Sequence, residues 1–352
     1  MFVYYRENIV EKDEEGQPNV GLVVPLLNVY AYVLGAIALA LPPWLAVGMT
    51  VGAVLLFAER SMLHEMARRI DTREIITACQ FLILTGLVLP LLPNEPVISL
   101  TTITPRQAWL ALLVVCTLSY ASYLAQRYWA PSLGGLWMAG LGGLYSSTAT
   151  TVVLARQARA EASIARYAQA GITLATGIMY LRMLAIIAVF NLMLARRLAA
   201  PLCGLTLVAL LIAMLQYRSV KSAPKEATPL PASRNPLELG AAAIFAVLFI
   251  LTSLLSGWVA GRFGIAGIYS LAAVIGITDI DPFVLNLAQG GTLRVPDFAL
   301  AASILIAASS NNLLKAAYAA GFAGGRATAG SVAALIGLAI LGIAIAIPLG
   351  GS

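Results

Sequence analysis

Long apolar stretches, separated by short polar connections, follow one another along almost the whole chain. Most of them approach the roughly 20 residues that a helix needs to cross about 30 Å of hydrocarbon. They lack the period-two alternation of barrel strands, so the pattern predicts membrane-spanning helices. The stretches lie near residues 22–41, 44–58, 75–92, 108–125, 132–157, 162–196, 201–217, 237–260, 264–290, 298–322 and 328–348.

The composition supports this interpretation. Hydrophobic residues make up 60% of the chain and charged residues 11%, with a mean hydropathy of +0.87. A soluble protein carries about 25% charged residues to cover its surface. We therefore predict an all-α polytopic membrane protein. The net charge of +6 suits basic cytoplasmic loops and does not indicate a nucleic-acid partner.

Two apolar stretches contain a polar interruption at their centre. Residues 132–157 include a Gly142-Gly143 pair followed by a hydroxyl run, and residues 264–290 include Gly276 followed by Thr-Asp-Ile-Asp-Pro. The two segments align without a gap at an offset of 133 residues, which places Gly143 on Gly276. The same offset matches Arg182 with Lys315 in the next stretch. This coincidence predicts an internal duplication.

The distribution of basic residues indicates how the interrupted segments cross the membrane. With Arg182 and Lys315 treated as intramembrane, 20 of the 22 Lys and Arg remain. If both segments are re-entrant hairpins, 15 of these bases lie on one side, whereas two crossings would give 11 and 9. Because bases favour cytoplasmic loops, we predict hairpins and a cytoplasmic N-terminus in a bacterial-type inner membrane.

The predicted fold contains two inverted repeats, each with three spans and one re-entrant helical hairpin. Each repeat then crosses the membrane an odd number of times, which inverts the second relative to the first. The predicted parts are an N-terminal scaffold of about three spans (1–103), repeat 1 (104–217, hairpin 132–157), a cytoplasmic linker (218–234) and repeat 2 (235–348, hairpin 264–290).

Four ionisable residues fall inside apolar segments, where each charge costs roughly 2.5 kcal/mol or more unless it is paired or hydrated. They are Asp279, Asp281, Arg182 and Lys315. Pairing with one another merely to fix the fold is the structural alternative. The predicted substrate-binding residues are Ser146, Ser147, Thr148, Thr150, Thr151, Arg182, Asn311, Asn312 and Lys315. The predicted metal- or proton-coupling residues are Asp279, Asp281 and Thr278.

The residue types at the two hairpin tips suggest different ligands. Pro282 suits the first position of a helix, so Asp281 is predicted as its N-cap, and Thr148 is the matching cap in the first hairpin. A helix N-terminus capped only by hydroxyl groups attracts an anion. The carboxylate of Asp281 favours a cation or a proton instead.

A family resemblance is carried by the runs WMAGLGGLYSSTATTVVLARQARA, FGIAGIYSLAAVIGITDIDPFVLNLAQ and AASSNNLLKAAYAAGFAGG. Over about residues 45–345 the chain resembles the C-terminal domain of unknown function of MgtC/SapB-family membrane proteins. The N-terminal MgtC portion is expected to be absent or reduced to residues 1–60. The family's association with magnesium homeostasis belongs mainly to that portion, so the resemblance implies a membrane location and leaves the substrate open.

We expect a secondary transporter that moves a small ion or anionic solute through a midplane site at the two hairpin tips. Arg182 and Lys315 would hold the anionic group, and Asp279 with Asp281 would bind a coupling cation or proton. Divalent-cation (magnesium-type) transport, a lipid-phosphate flippase and a non-transporting membrane regulator remain as alternatives. No enzymatic motif is present, and we expect no cofactor. Expected partners are the small ion or solute, membrane lipid and, by analogy with elevator-type transporters, a second copy.

Overall fold

The computed structural model describes residues 10–12, 18–20, 23–40, 42–58, 72–96, 103–128, 135–220, 239–290, 295–324 and 326–350. These residues are helical apart from short connections and one small ribbon. In the ribbon, β1 (Val10–Lys12) pairs antiparallel with β2 (Pro18–Val20). Within the described residues, seven helices are long and apolar enough to cross a membrane. The predicted helical membrane protein is thereby confirmed at this level.

The contacts divide the chain into two compact units, Met1–Ile76 and Thr77–Ser352. The first unit contains the ribbon and two helices, α1 (Val23–Ala40) and α2 (Pro43–Ala58), which pack against each other. The hydroxyl of Tyr30 on α1 donates to the carbonyl of Met49 on α2 at 2.6 Å. Residues 59–71 of the predicted scaffold and residues 221–234 of the predicted linker lie outside the described residues.

The remaining helices are long apolar spans and two interrupted segments. α3 (Thr72–Leu82) continues through a π-helical segment (Ile83–Val88) into a last turn (Leu89–Leu91). It is followed by α4 (Pro105–Tyr128), α5 (Gly135–Ala160), α6 (Ala165–Phe190), α7 (Leu192–Arg218), α8 (Leu239–Ile275), α9 (Asp281–Gln289), α10 (Asp297–Ala323) and α11 (Ala329–Gly350). Single 3-10 turns, Ala162–Ile164 and Arg326–Thr328, precede α6 and α11.

One helix boundary differs from the sequence prediction. The apolar pattern placed a break between residues 196 and 201, ahead of Pro201, but α7 begins at Leu192 and Pro201 lies inside it. The break is set by Asn191, whose side chain accepts a hydrogen bond from the N–H of Leu194 at 2.9 Å. A capping side chain satisfies an otherwise free donor, whereas a proline inside the helix removes only one bond of the ladder.

Close helix packing explains two glycines that the sequence comparison aligned. A Cβ added at Gly143 on α5 would collide with the Cα and carbonyl oxygen of Ala175 on α6. A Cβ added at Gly276, just after α8, would collide with the carbonyl of Ala307 and with Ser310 on α10. At both positions the polar interruption thus rests directly on the backbone of the following long helix.

We predict that Gly143→Ala and Gly276→Ala each destabilise the protein. The added methyl group meets backbone atoms that cannot move away cheaply, and such overpacking costs about 1–3 kcal/mol. The measurement is the Tm of the purified protein in detergent. Gly140→Ala is the matched control, because the nearest atom to its new Cβ is a leucine methyl at 3.5 Å. Equal Tm values for Gly143→Ala and Gly140→Ala would contradict the packing argument.

Candidate functional site

Each interrupted segment has a break in the helical backbone at its polar centre. In α5 the break falls at Ser146, whose φ of −159° and ψ of 105° are extended. The hydroxyl of Ser146 accepts a hydrogen bond from the N–H of Ala149 at 3.3 Å. The second break lies between α8 and α9, where the carboxylate of Asp279 accepts from the N–H of Asp281 at 3.2 Å.

These contacts correct the predicted helix caps. Asp281 is the first residue of α9, and its carboxylate pairs with Arg182. The carboxylate that accepts a backbone N–H at the start of α9 belongs to Asp279. In the first segment the capping hydroxyl belongs to Ser146 and not to Thr148. Both caps lie two residues earlier than predicted, and they match each other at the same offset of 133. A capping side chain must start before the helix and reach forward to its free N–H groups.

Side chains from neighbouring helices donate to backbone carbonyls that lie at each break or within five residues of it. On α5, the carbonyl of Leu141 accepts from the hydroxyl of Ser122 at 2.5 Å. At the second break, the amide of Asn311 donates to the carbonyls of Gly276 and Thr278 at 3.2 and 3.4 Å. Helix ends without such partners are costly away from water, so these bonds hold the breaks in place.

Arg182 on α6 contacts both breaks at once. One guanidinium nitrogen donates to the carbonyl of Tyr145, the residue just before the break in α5, at 2.9 Å. Another forms an ion pair with the carboxylate of Asp281 at 2.5 Å, and both side chains are largely buried. The Nε of Arg182 is buried and has no hydrogen-bond partner in the described part of the chain. One cation thus connects the two breaks, and within the described residues its Nε remains an unused donor.

Lys315 on α10 is fully buried. Its ammonium group lies 3.5 Å from the hydroxyl of Ser147, 3.4 Å from that of Thr176 and 3.2 Å from the sulfur of Met179. Among the described residues it has no carboxylate within ion-pair distance. Lys315 therefore differs from Arg182, its counterpart in the predicted repeat, in lacking a negative partner.

The two breaks line a single cavity of about 600 Å³ in the second unit. Most of the predicted site residues face it: Ser146, Ser147, Thr148, Arg182, Thr278, Asp279, Asp281 and Asn311. Lys315 lies behind this lining, in contact with Ser147 and Met179. The structure thus brings residues from four parts of the chain, namely α5, α6, the α8–α9 connection and α10, to one place.

Besides Lys315, three predicted site residues do not line the cavity. The hydroxyls of Thr150 and Thr151 donate to the carbonyls of Ser146 and Ser147 within their own helix. The amide of Asn312 donates to the hydroxyl of Tyr180 at 2.5 Å in a buried contact between α10 and α6. In the present conformation these side chains support the backbone or the packing of the long helices.

The sequence prediction missed several residues that contact the site. Ser119 and Tyr145 line the cavity, and Met179 and Thr176 contact Lys315. Met179 precedes Arg182 by three residues and Thr176 precedes Met179 by three, so each consecutive pair is adjacent on the surface of α6. That helical spacing from a buried arginine was the available signal.

Comparison with known proteins gives a family without a known activity. Residues 113–323 match the family described as a domain of unknown function, DUF4010. An uncharacterized protein of Aquifex aeolicus (strain VF5) is 30% identical over 182 residues, which cover 51% of this chain and 78% of that protein. No solved structure matches the chain. The expected domain of unknown function is confirmed, while the link to MgtC/SapB proteins stays a prediction.

We predict that Arg182→Gln and Asp281→Asn each lower stability strongly and that the double variant is less destabilised than the sum of the two. Removing one partner of a buried ion pair leaves an uncompensated charge and costs about 3–5 kcal/mol. The measurement is a double-mutant cycle of unfolding free energies in mixed micelles. Additive effects would contradict a coupling between the two breaks.

Proposed function

This chain belongs to the DUF4010 family, and we propose that it is a secondary transporter for a small ion or anionic solute. The observation that supports this most is the meeting of two backbone breaks on one cavity, with Arg182 in contact with both. Broken helices that meet at the membrane midplane form the substrate sites of many secondary transporters. Irregular backbone at this depth is tolerated where it lines a cavity or is buried in protein.

The first interrupted segment is best explained as a re-entrant hairpin. A Cβ added at Gly171 on α6 would lie 3.0 Å from the Cβ of Ala139 and 2.8 Å from a methyl of Leu154. These two α5 side chains therefore approach within about 6 Å of each other. In a straight helix, residues 15 apart are separated by about 22 Å. The proximity supports a chain that folds back at Ser146.

The second interrupted segment has matching proportions. α8 is broken at Gly264, whose φ of +61° suits glycine, and only 11 residues of it follow. After the second break, α9 contains 9 residues, or about 14 Å, and ends at Gly290 with a φ of +74°. Each arm spans about half of a 30 Å hydrocarbon core. These lengths support a second hairpin.

The helix order supports two repeats of opposite orientation. α4, α5, α6 and α7 correspond, at offsets close to 133, to the first part of α8, its second part with α9, α10 and α11. Three spans and one hairpin give an odd number of crossings, so the second repeat would be inverted. α5 of the first repeat packs on α10 of the second, and α9 packs on α6. These contacts between the proposed repeats support an arrangement in which both hairpin tips lie at the centre of the helix bundle.

The charged side chains at the cavity suggest separate positions for the coupling cation and for the anionic group. Arg182 is compensated by Asp281, whereas Asp279 faces the cavity and forms no ion pair within the described residues. We assign the coupling cation or proton to Asp279 and the anionic group to the region of Lys315 and Ser147. Magnesium transport has less support, because Mg²⁺ prefers several carboxylate or water oxygens and Asp281 is already paired.

Thiol labelling tests the topology. Single cysteines replace Trp129 and Ala160, which flank the first hairpin, or Arg262 and Asp297, which flank the second, in a background without native cysteines. With an impermeant thiol reagent, we expect the first pair to react only from the cytoplasmic side and the second pair only from the opposite side. Reaction of either pair from two different sides would remove the inverted-repeat argument and with it the midplane site.

We predict that Asp279→Asn abolishes the response of the protein to its coupling cation. Asparagine caps a helix as well as aspartate does, so the variant removes the charge and keeps the cap. The measurement is the Tm against Na⁺, Mg²⁺ or pH, with choline as the reference cation. A ligand at 100 times its Kd stabilises by about 2.7 kcal/mol.

Asp297→Asn is the matched control, since Asp297 begins α10, is exposed and does not line the cavity. The control should respond to Na⁺ or to protons as the unaltered protein does. An Asp279→Asn protein that responds equally would refute the assigned role. A response of the unaltered protein to Mg²⁺ alone would favour the divalent-cation alternative.

A further inference from the structure

We infer that the anionic ligand is a small solute with a single carboxylate and an apolar body. Its carboxylate binds at the start of the second arm of α5, at Ser147 and Thr148, with Lys315 directly behind. This inference rests on the proposed transport function and specifies the substrate class of the same site. It follows from a difference between the two repeats, from the unused donors at the first break and from the lining of the cavity.

The two proposed repeats place a cation at equivalent positions, but among the described residues only one of these cations has an acid opposite it. Arg182 on α6 pairs with Asp281, which begins the second arm of the second segment. At the offset of 133, Lys315 corresponds to Arg182 and Thr148 corresponds to Asp281. Lys315 accordingly meets neutral hydroxyls where Arg182 meets a carboxylate. A carboxylate supplied by a ligand would complete the second pair.

The surroundings of Ser147 offer donors and positive charge to such a group. The arm that follows the break at Ser146 runs to Ala160, and its first N–H groups have no intrahelical partner. The helix dipole adds positive potential at this end. Two cations reinforce it: Lys315 is fully buried against Ser147, and Arg182 lines the cavity with its buried Nε unpartnered.

The balance of charges favours one negative charge on the ligand. Arg182 and Asp281 neutralise each other, and Lys315 and Asp279, which have no ion-pair partner among the described residues, would carry opposite charges when both are ionised. A monocarboxylate neutralises Lys315, and a coupling cation or proton neutralises Asp279. A dianion would leave a surplus negative charge without a counter-ion in the cavity, and an unpaired buried charge is strongly unfavourable.

The rest of the cavity suits an apolar body better than a bare inorganic ion. Its volume of about 600 Å³ lies within the range of roughly 300–1,000 Å³ that is typical of small-molecule sites. One wall of the cavity is formed by apolar side chains from α4, α8 and α10: Leu112, Val115, Ile244, Phe245, Leu248 and Leu314. An inorganic anion would leave this surface facing water.

Two substitutions at one position test the inference. Thr148→Asp supplies the missing carboxylate from the protein itself, as Asp281 does in the other repeat, and should weaken monocarboxylate binding at least about 100-fold. Thr148→Asn has nearly the shape of Thr148→Asp without the charge, so it should bind the carboxylate at least about tenfold more tightly than Thr148→Asp. The probes are straight-chain carboxylates from acetate to octanoate, and their Kd values are measured by calorimetry in detergent.

Further probes separate this inference from the proposed function. The uncharged amides of the same acids, chloride and inorganic phosphate serve as comparisons. We expect carboxylates of intermediate length to bind and the amides to bind at least tenfold more weakly. Equal binding of acid and amide, absence of any carboxylate binding, or affinity that rises up to octanoate as for a membrane fatty acid would each overturn the inference. If chloride or phosphate binds instead and Thr148→Asp abolishes it, the carboxylate class is wrong while an anion transporter stands.

Discussion

The guanidinium of Arg182 joins two backbone breaks that would otherwise be unfavourable inside an apolar helix bundle. It donates to the carbonyl of Tyr145 at the end of one arm and pairs with Asp281 at the start of another. A free carbonyl and a lone carboxylate each carry a large desolvation penalty at this depth. Because one side chain satisfies both groups, the positions of the two breaks depend on each other. The cavity between them depends on that contact in turn.

Lys315 differs in its surroundings from Arg182, its counterpart in the predicted repeat. Lys315 matches Arg182 in sequence offset and in its place on a long helix after an interrupted segment, but its neighbours are Ser147, Thr176 and Met179. A repeat that were only structural would gain stability from an acid at this point, since a buried unpaired cation is costly. The absence of an acid among the described neighbours is therefore more easily explained by a ligand that supplies the charge.

The features of the fold that depend on the thickness and apolar character of the bilayer could be predicted from the sequence. Span lengths, the two interruptions and the matched Gly143 and Gly276 follow from hydrophobicity and composition, which act locally along the chain. The details that failed depend on side-chain reach: Asn191 and not Pro201 sets the start of α7, and Ser146 and Asp279 supply the caps. The sequence offered four candidate charges. Which of them pair depends on tertiary packing, because Arg182 and Asp281 are 99 residues apart in the chain. No local sequence signal distinguishes Asn311, which donates to the second break, from Asn312, which donates to Tyr180.

The two uncompensated charges provide a physical basis for coupling. On the proposed function, Lys315 and Asp279 have no ion-pair partner among the described residues, and their opposite charges, when both are ionised without a ligand, leave the interior neutral as a whole. Loading only the anion or only the cation leaves a net charge, and a net charge is expensive to move through a low-dielectric barrier. The fully loaded and the fully empty states are both neutral and therefore move most easily. On the proposed function, this selection between states links the flux of the anion to that of the cation without any direct contact between them.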